Sequence, residues 1–337
     1  MHRPVRRPLT AVGSALALLV TAAPALAGNG GFAPVSPESP NADRITDAWW
    51  FVTGFILFVF VGVETLLLVF VLRYRRGRRP VDAEGPQIHG STRLESLWTV
   101  IPVGILVAVA AFVFYKLPGI ENVPAATAAE GRLDVLVTGR QFYWQFTYPN
   151  GAVAINRLRV PVGEPVRLRV TAPDFDVIHS WWIPALGGKI DAIPGRTNTT
   201  WFTARSPGVF EGRCAELCGV QHAAMLMTVE ALPRDRFQAW LASRLADQQG
   251  ARAAQTLGAE EWTGACATCH GLGGQGLVGP AIAQSGTLQD EAALARVLRN
   301  GLSRPGRAPM PPVGRGWTDD QLGALASYVR GRFGSGG

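Results

Sequence analysis

All four cysteines of the 337-residue chain lie in two short stretches. The first, CAELCGVQHAAM at 214–225, sets two thiols, a carboxylate, an imidazole and a thioether close together. Cys214, Cys218 and His222 are spaced four apart, so a helix would put them on one face. Gly212 and Gly219 favour a loop instead. A Cys214–Cys218 disulfide is one use of the thiols, since exported proteins form them, but it gives no reason for His222 and Met225 to follow at once. Thiolate, imidazole and thioether are soft ligands that suit copper. Two sulfurs can bridge two copper ions, with one histidine terminating each. His222 supplies one. Of five histidines, His2 lies in the leader, His89 between two apolar runs and His270 in the second stretch, which leaves His179 in DVIHSWWIP.

The second stretch, CATCH at 266–270, is C-x-x-C-H, the attachment pattern of c-type haem. Cys266 and Cys269 would form thioethers, and His270 would become an axial iron ligand. A redox dithiol is the competing use, but it usually sits in a βαβ unit, and the surrounding sequence has none. A methionine as sixth ligand would raise the potential. Met1 starts the chain, and Met225 and Met227 lie at the first cluster. Met310, in the proline-stiffened RAPMPPVG, is the remaining candidate.

These groups need a scaffold outside the cytosol, and the chain supplies one. Residues 1–27 combine Arg3, Arg6 and Arg7, a short apolar core and ALA at 25–27, the pattern of a cleaved leader. Residues 28–47 are then an exported segment. Two apolar runs, about 49–72 and 97–117, are long enough to span a bilayer of roughly 30 Å. Residues 73–96 between them carry six arginines against three acids, which marks a cytoplasmic loop. Residues 48–120 thus read as a transmembrane hairpin, with everything after it outside. The pI of 9.7 comes from the leader and this loop, which leave about +1 of the +7 net charge for the rest. A nucleic-acid partner is excluded on that ground; membrane lipid is the expected surroundings.

Residues 121–232 contain short runs rich in β-branched and aromatic residues, such as LDVLVTG and VRLRVTA, separated by YPNG, PVGEP and SPG turns. That pattern predicts a β-sandwich or barrel. Residues 233–250 have helical spacing, with Phe237, Trp240, Leu241 and Leu245 on one face, and read as a linker holding the last domain on a flexible tether. Residues 251–337 read as a small all-α unit, closed by a helix with Thr318 as N-cap.

DVIHSWWIP, GGKIDAIPGR, CAELCGVQHAAM and RLESLWTVIPVGIL resemble subunit II of the haem–copper cytochrome c oxidases over about residues 45–232. Residues 251–337 resemble a class I cytochrome c. The resemblance implies a cupredoxin domain holding the dinuclear copper centre CuA. Cys214 and Cys218 would bridge, His179 and His222 terminate, Met225 bind weakly and the Glu216 carbonyl complete the set. It also implies that the Glu216 side chain faces a magnesium shared with subunit I, and that Glu95 lies at the mouth of a proton channel. Glu95 reads equally as a helix-start carboxylate. Asp176 and Asp191 match acids near the copper or the subunit interface, or are loop residues. Glu64, inside the first span, is a structural hydrogen bond to a neighbouring subunit or part of a proton path.

The expected activity is an electron relay in a respiratory oxidase of the bacterial inner membrane. Electrons pass from cytochrome c or a quinol–cytochrome c reductase, through haem c and CuA, to subunit I, which reduces dioxygen. A nitric oxide reductase subunit and a membrane-anchored carrier without an oxidase are the alternatives. Quinol oxidase subunit II, which lacks these copper ligands, is excluded. One departure bears on the route. Where the family has a tryptophan that accepts electrons from soluble cytochrome c, GRQFYWQF at 139–146 has Phe142, followed by Tyr143 and Trp144. The fused haem domain, rather than this aromatic stretch, is therefore expected to meet the donor.

Overall fold

The computed structural model describes residues 33–74, 85, 87–124, 131–250, 252–306 and 309–333. The leader at 1–27, and residues 75–84 and 86 of the arginine-rich loop, fall outside the described residues. The chain divides into two compact units, Asp43–Glu121 and the remainder.

Two helices, α1 (Pro40–Tyr74) and α2 (Thr92–Glu121), are long and apolar enough to cross a membrane. Both outrun their apolar cores, since a span needs only about 20 residues. Their extra turns carry polar pairs such as Lys116 Nζ to Asp47 Oδ2 at 2.7 Å. Phe51 and Phe112 stack at 4.0 Å. No residue of α2 is buried, and Glu64 is exposed on α1. At the start of α2 the Ser91 amide donates to Glu95 Oε1 at 3.2 Å, so this carboxylate caps its own helix.

The β region is a sandwich of two five-stranded sheets. Its strands are β1 (Leu133–Arg140), β2 (Tyr143–Thr147), β3 (Val153–Ile155), β4 (Arg157–Pro161), β5 (Val166–Thr171), β6 (His179–Trp182), β7 (Ile190–Ala192), β8 (Asn198–Phe202), β9 (Gly208–Cys214) and β10 (Leu226–Leu232). The sheets run β3-β2-β1-β5-β8 and β4-β10-β9-β6-β7, with β1/β5 and β4/β10 parallel and the other pairs antiparallel. This is a cupredoxin-like sandwich. Alternation places Val166, Leu168 and Val170 of β5, and Met227, Val229 and Ala231 of β10, in the core between the sheets. Gly212 is required where β9 meets β6, because a Cβ there would lie 2.4 Å from the Trp182 carbonyl.

Helix α3 (Arg234–Gln249) follows the sandwich. It is not a free tether. Phe237 joins the sandwich core and Trp240 lies edge-on to Tyr148 at 5.2 Å. Arg244 donates to the Val153 carbonyl at 3.0 Å. The apolar face read from the sequence is spent on the sandwich, so the linker is fixed rather than flexible.

The last domain begins with a continuous helical run, α4, made of Ala254–Gly258, Ala259–Glu261, Trp262–Cys266 and Ala267–His270, with two π-helical stretches. Short α5 (Gly286–Gln289), α6 (Glu291–Asn300) and α7 (Asp319–Phe333) complete it. Thr318 Oγ1 accepts from the Gln321 amide and Gln321 Oε1 from the Thr318 amide, a reciprocal cap. Its core of Leu257, Trp262, Leu294, Trp317 and Leu325 also takes in Tyr143, Val153 and Ile155 of the sandwich.

Glu261 is completely buried in that core. Oε1 accepts from Gln321 Nε2 at 3.1 Å, and Oε2 has no hydrogen-bond partner. Burial, only partly opposed by the Gln321 bond, holds the carboxyl protonated well above its ordinary value of 4.5. A folded state that keeps a proton the unfolded chain releases loses stability as pH rises above 4.5. The Glu261 contribution should therefore fall from pH 4.5 toward neutrality, so the melting temperature of Glu261→Gln should gain on that of wild type as pH rises. Equal slopes in the two proteins would refute a protonated Glu261.

Candidate metal centre

The sulfur cluster forms where β6 starts and β9 ends, on paired neighbouring strands, with Trp181 opposite Cys214. Beyond Cys214 the chain leaves the sheet, makes a 3₁₀ turn at His222–Ala224 and returns as β10. The neck of this loop is closed by Cys214 N to Met225 O at 3.0 Å and Ala215 N to Ser180 O at 2.9 Å. Cys214, Cys218 and His222 thus sit on a strand end, a loop and a turn. Their spacing of four is not that of a helix face.

Ligand atoms of His179, Cys214 and Cys218 lie within 4.8 Å of one another, and all three residues are buried. The two sulfurs are 3.9 Å apart and both cysteines are free, too far for the roughly 2.05 Å bond of a disulfide. Cys218 Sγ is 3.7 Å from His222 Nδ1 and 3.7 Å from Met225 Sδ. The Glu216 carbonyl oxygen lies 3.2 Å from Cys214 Sγ. His179 Nε2 pairs with Asp176 Oδ1 at 3.2 Å, while its buried Nδ1 has no hydrogen-bond partner and is free to take a metal. Behind it Gly139 leaves room for the ring, since a Cβ there would sit 3.1 Å from the imidazole. Asp191, by contrast, turns to Lys189 at 3.6 Å.

The electrostatics favour a thiolate at Cys214. A hydrogen bond from Cys218, outweighing burial and aided by His179, pushes the Cys214 thiol down to about 3. Cys218 correspondingly keeps its proton, raised by the neighbouring Cys214 sulfur and by burial. Burial opposes a charged His179, but the Asp176 carboxylate and the neighbouring Cys214 sulfur raise it overall. Two sulfurs, two imidazoles, a thioether and a carbonyl, at one buried end of the sandwich, make a donor set that fits copper.

Glutamine supplies the supporting contacts that the sequence reading missed. Gln141 Nε2 donates to the Cys218 carbonyl at 2.7 Å, and Gln221 Nε2 to the Thr268 carbonyl at 3.5 Å. Nothing in the local sequence marks either residue. Phe142 packs beneath the loop, where a Cβ on Gly219 would come 3.0 Å from its ring. Phe142, Tyr143 and Trp144 are all buried, so none offers a surface to a soluble donor. The Trp144 ring meets the His179 ring edge-on at 6.1 Å.

In the last domain, CATCH closes α4. His270 Nδ1 donates to the Pro280 carbonyl at 2.8 Å, which fixes the tautomer and leaves Nε2 as the unprotonated nitrogen. Gly279 lets the loop wrap the ring, since a Cβ would lie 2.9 Å from Cε1. Burial pushes the Cys266 thiol up to about 12 and raises Cys269 as well. A working redox dithiol needs the opposite shift, whereas thioether formation to haem leaves no thiol to ionise. Met310 pairs with Leu302 through two backbone bonds and packs against the domain core. Met310→Ala should render the haem partly high-spin, allow carbon monoxide to bind when reduced and lower its potential. An unchanged absorption spectrum would assign the sixth position to another group.

Three family descriptions match the chain. "Cytochrome C oxidase subunit II, transmembrane domain" covers residues 31–115, "Cytochrome C oxidase subunit II, periplasmic domain" 152–232 and "Cytochrome C oxidase, cbb3-type, subunit III" 253–329. Cytochrome c oxidase subunit 2 of Alkalihalophilus pseudofirmus is 38% identical over 263 residues, 75% of this chain and 74% of that protein. Quinol oxidase subunit 2 of Bacillus subtilis is 32% identical over 226 residues, 66% of this chain and 70% of that one. Among solved structures, the periplasmic domain of subunit II of the Bradyrhizobium japonicum cytochrome oxidase is 36% identical, covering 37% of this chain and 99% of that one with a TM-score of 0.34.

Proposed function

We propose that this chain, which belongs to the cytochrome c oxidase subunit 2 family, relays electrons from an external donor to subunit I of a respiratory oxidase. It is a membrane-anchored subunit with a copper-type sandwich domain and a C-terminal cytochrome c domain. His179, Cys214, Cys218, His222, Met225 and the Glu216 carbonyl hold two copper ions. Cys266, Cys269, His270 and Met310 hold one covalent haem c. When bound, these groups supply two one-electron stores whose geometry changes little on reduction.

The chain's residues do the rest. Asp176 orients His179, and the Pro280 carbonyl orients His270. Backbone bonds close the neck of the 214–225 loop and hold the sulfurs in place. The thiols and the His179 imidazole are buried together, which suits electron transfer over substrate chemistry. Trp144, in the sandwich core, backs the His179 ring in edge contact. The domains face outward from the inner membrane; Glu216 would meet a magnesium at subunit I, and Glu95 a proton channel. Cytochrome c or a quinol–cytochrome c reductase would be the donor.

The convergence of two free thiols, two imidazoles and a thioether carries this reading. It also separates the chain from the quinol-oxidase reading that the Bacillus subtilis relative raises. Metal analysis and a haem stain on a denaturing gel test it. The expected content is two copper ions and one haem per chain, with the haem retained on denaturation. One copper, or haem lost on denaturation, would contradict it.

A further inference from the structure

The two redox domains share one packed boundary. Tyr143, on β2, is fully buried beneath the last domain. Its hydroxyl donates to the Val313 carbonyl at 2.8 Å and accepts from Trp317 Nε1 at 2.8 Å. Around it, Arg140 Nη1 donates to the Arg315 carbonyl at 2.6 Å, and the Ile155 amide to Glu260 Oε2 at 3.3 Å. Gly264 lies so close to Ile155 that a Cβ would fall 2.4 Å from its Cγ2. At the other end, Gln221, next to His222, reaches Thr268 inside CATCH. The copper loop and the haem motif are therefore held in a fixed register.

We propose that Tyr143, locked between Trp317 and Val313, is a positioning residue that keeps the cytochrome domain docked on the copper domain, so that electrons cross between them without domain motion. The proposal rests on the relay reading above. Tyr143 does not itself carry charge. Its hydroxyl proton is given to an amide carbonyl, which cannot accept it fully, and burial holds the phenol protonated. One electron leaves reduced haem and reduces the copper pair, and no bond or proton changes at Tyr143.

Removing the hydroxyl strands the Trp317 N–H and the Val313 carbonyl, a cost that should raise the undocked population about tenfold. Two readouts in the full chain test this. The first is hydrogen exchange at the Ile155 amide, which undocking exposes. It should be slow in wild type and about tenfold faster in Tyr143→Phe. The second is the haem-to-copper rate after flash reduction. It should be independent of solvent viscosity in wild type, and slower and viscosity-dependent in the variant. Trp317→Phe, which leaves the Val313 bond intact, should show both effects more weakly and serves if Tyr143→Phe does not fold. Rapid Ile155 exchange or viscosity-dependent transfer in wild type would overturn the proposal, as would variants that match wild type in both readouts. Slow Ile155 exchange with no transfer from haem to copper would overturn it differently, through failure of the relay rather than of the docking.

Discussion

Cys218→Ser is expected to abolish the mixed-valence two-copper spectrum while leaving the haem spectrum unchanged. Cys218 is the hub of the cluster, 3.7 Å from both His222 Nδ1 and Met225 Sδ and 3.9 Å from Cys214 Sγ. Serine keeps the size but offers a hard oxygen that copper does not favour as a bridge. Loss of groups that merely support metal ligands costs about 10–100-fold in affinity or activity, so loss of a bridging thiolate should exceed that in oxidase turnover. The haem should survive because CATCH lies on α4 in the last domain, outside the 214–225 loop. A variant that retained the two-copper spectrum would refute bridging by Cys218.

The second large effect is expected at the haem. Cys266→Ala combined with Cys269→Ala should leave the chain without covalent haem, still able to bind copper, and nearly inactive with its donor. Phe142, Tyr143 and Trp144 are buried, so a donor finds no aromatic surface on the copper domain. Without the fused haem the donor must deliver electrons to the copper domain directly, where these aromatic rings are buried, and turnover should drop sharply. Cys266 is buried and Cys269 partly exposed, so the truncated side chains leave at most a small cavity. Copper content should therefore be normal. Full turnover in this variant would show that electrons reach copper by another route.

The convergence of His179, Cys214 and Cys218 was legible because these residue types are rare in the chain. Four cysteines, five histidines and four methionines leave few combinations, and elimination pointed to His179 and Met310. The sandwich was legible from period-two runs such as Val166, Leu168 and Val170. What was not legible is how the parts meet. The helical face of α3 was visible, but not that the sandwich would cover it, so a fixed helix read as a tether. Alternation along β2 puts Tyr143 and Gln145 on the face away from the sandwich core, where solvent would be expected. Both are buried because the cytochrome domain covers that face, and Gln321 reaches Gln145 at 3.5 Å from α7. Such contacts join residues far apart in the chain and leave no local pattern. The glutamines that brace the copper loop, Gln141 and Gln221, are equally silent, since each acts through a backbone carbonyl.

The central claim is the order of electron flow, haem first and copper second. Rapid mixing of the fully oxidised complex with reduced cytochrome c, followed at the haem band and the near-infrared copper band, reads that order directly. The haem should reduce first, at a rate proportional to donor concentration, and the copper band should then change at a rate independent of it. Copper reduction that precedes the haem, or that scales with donor concentration while the haem stays oxidised, would contradict the account.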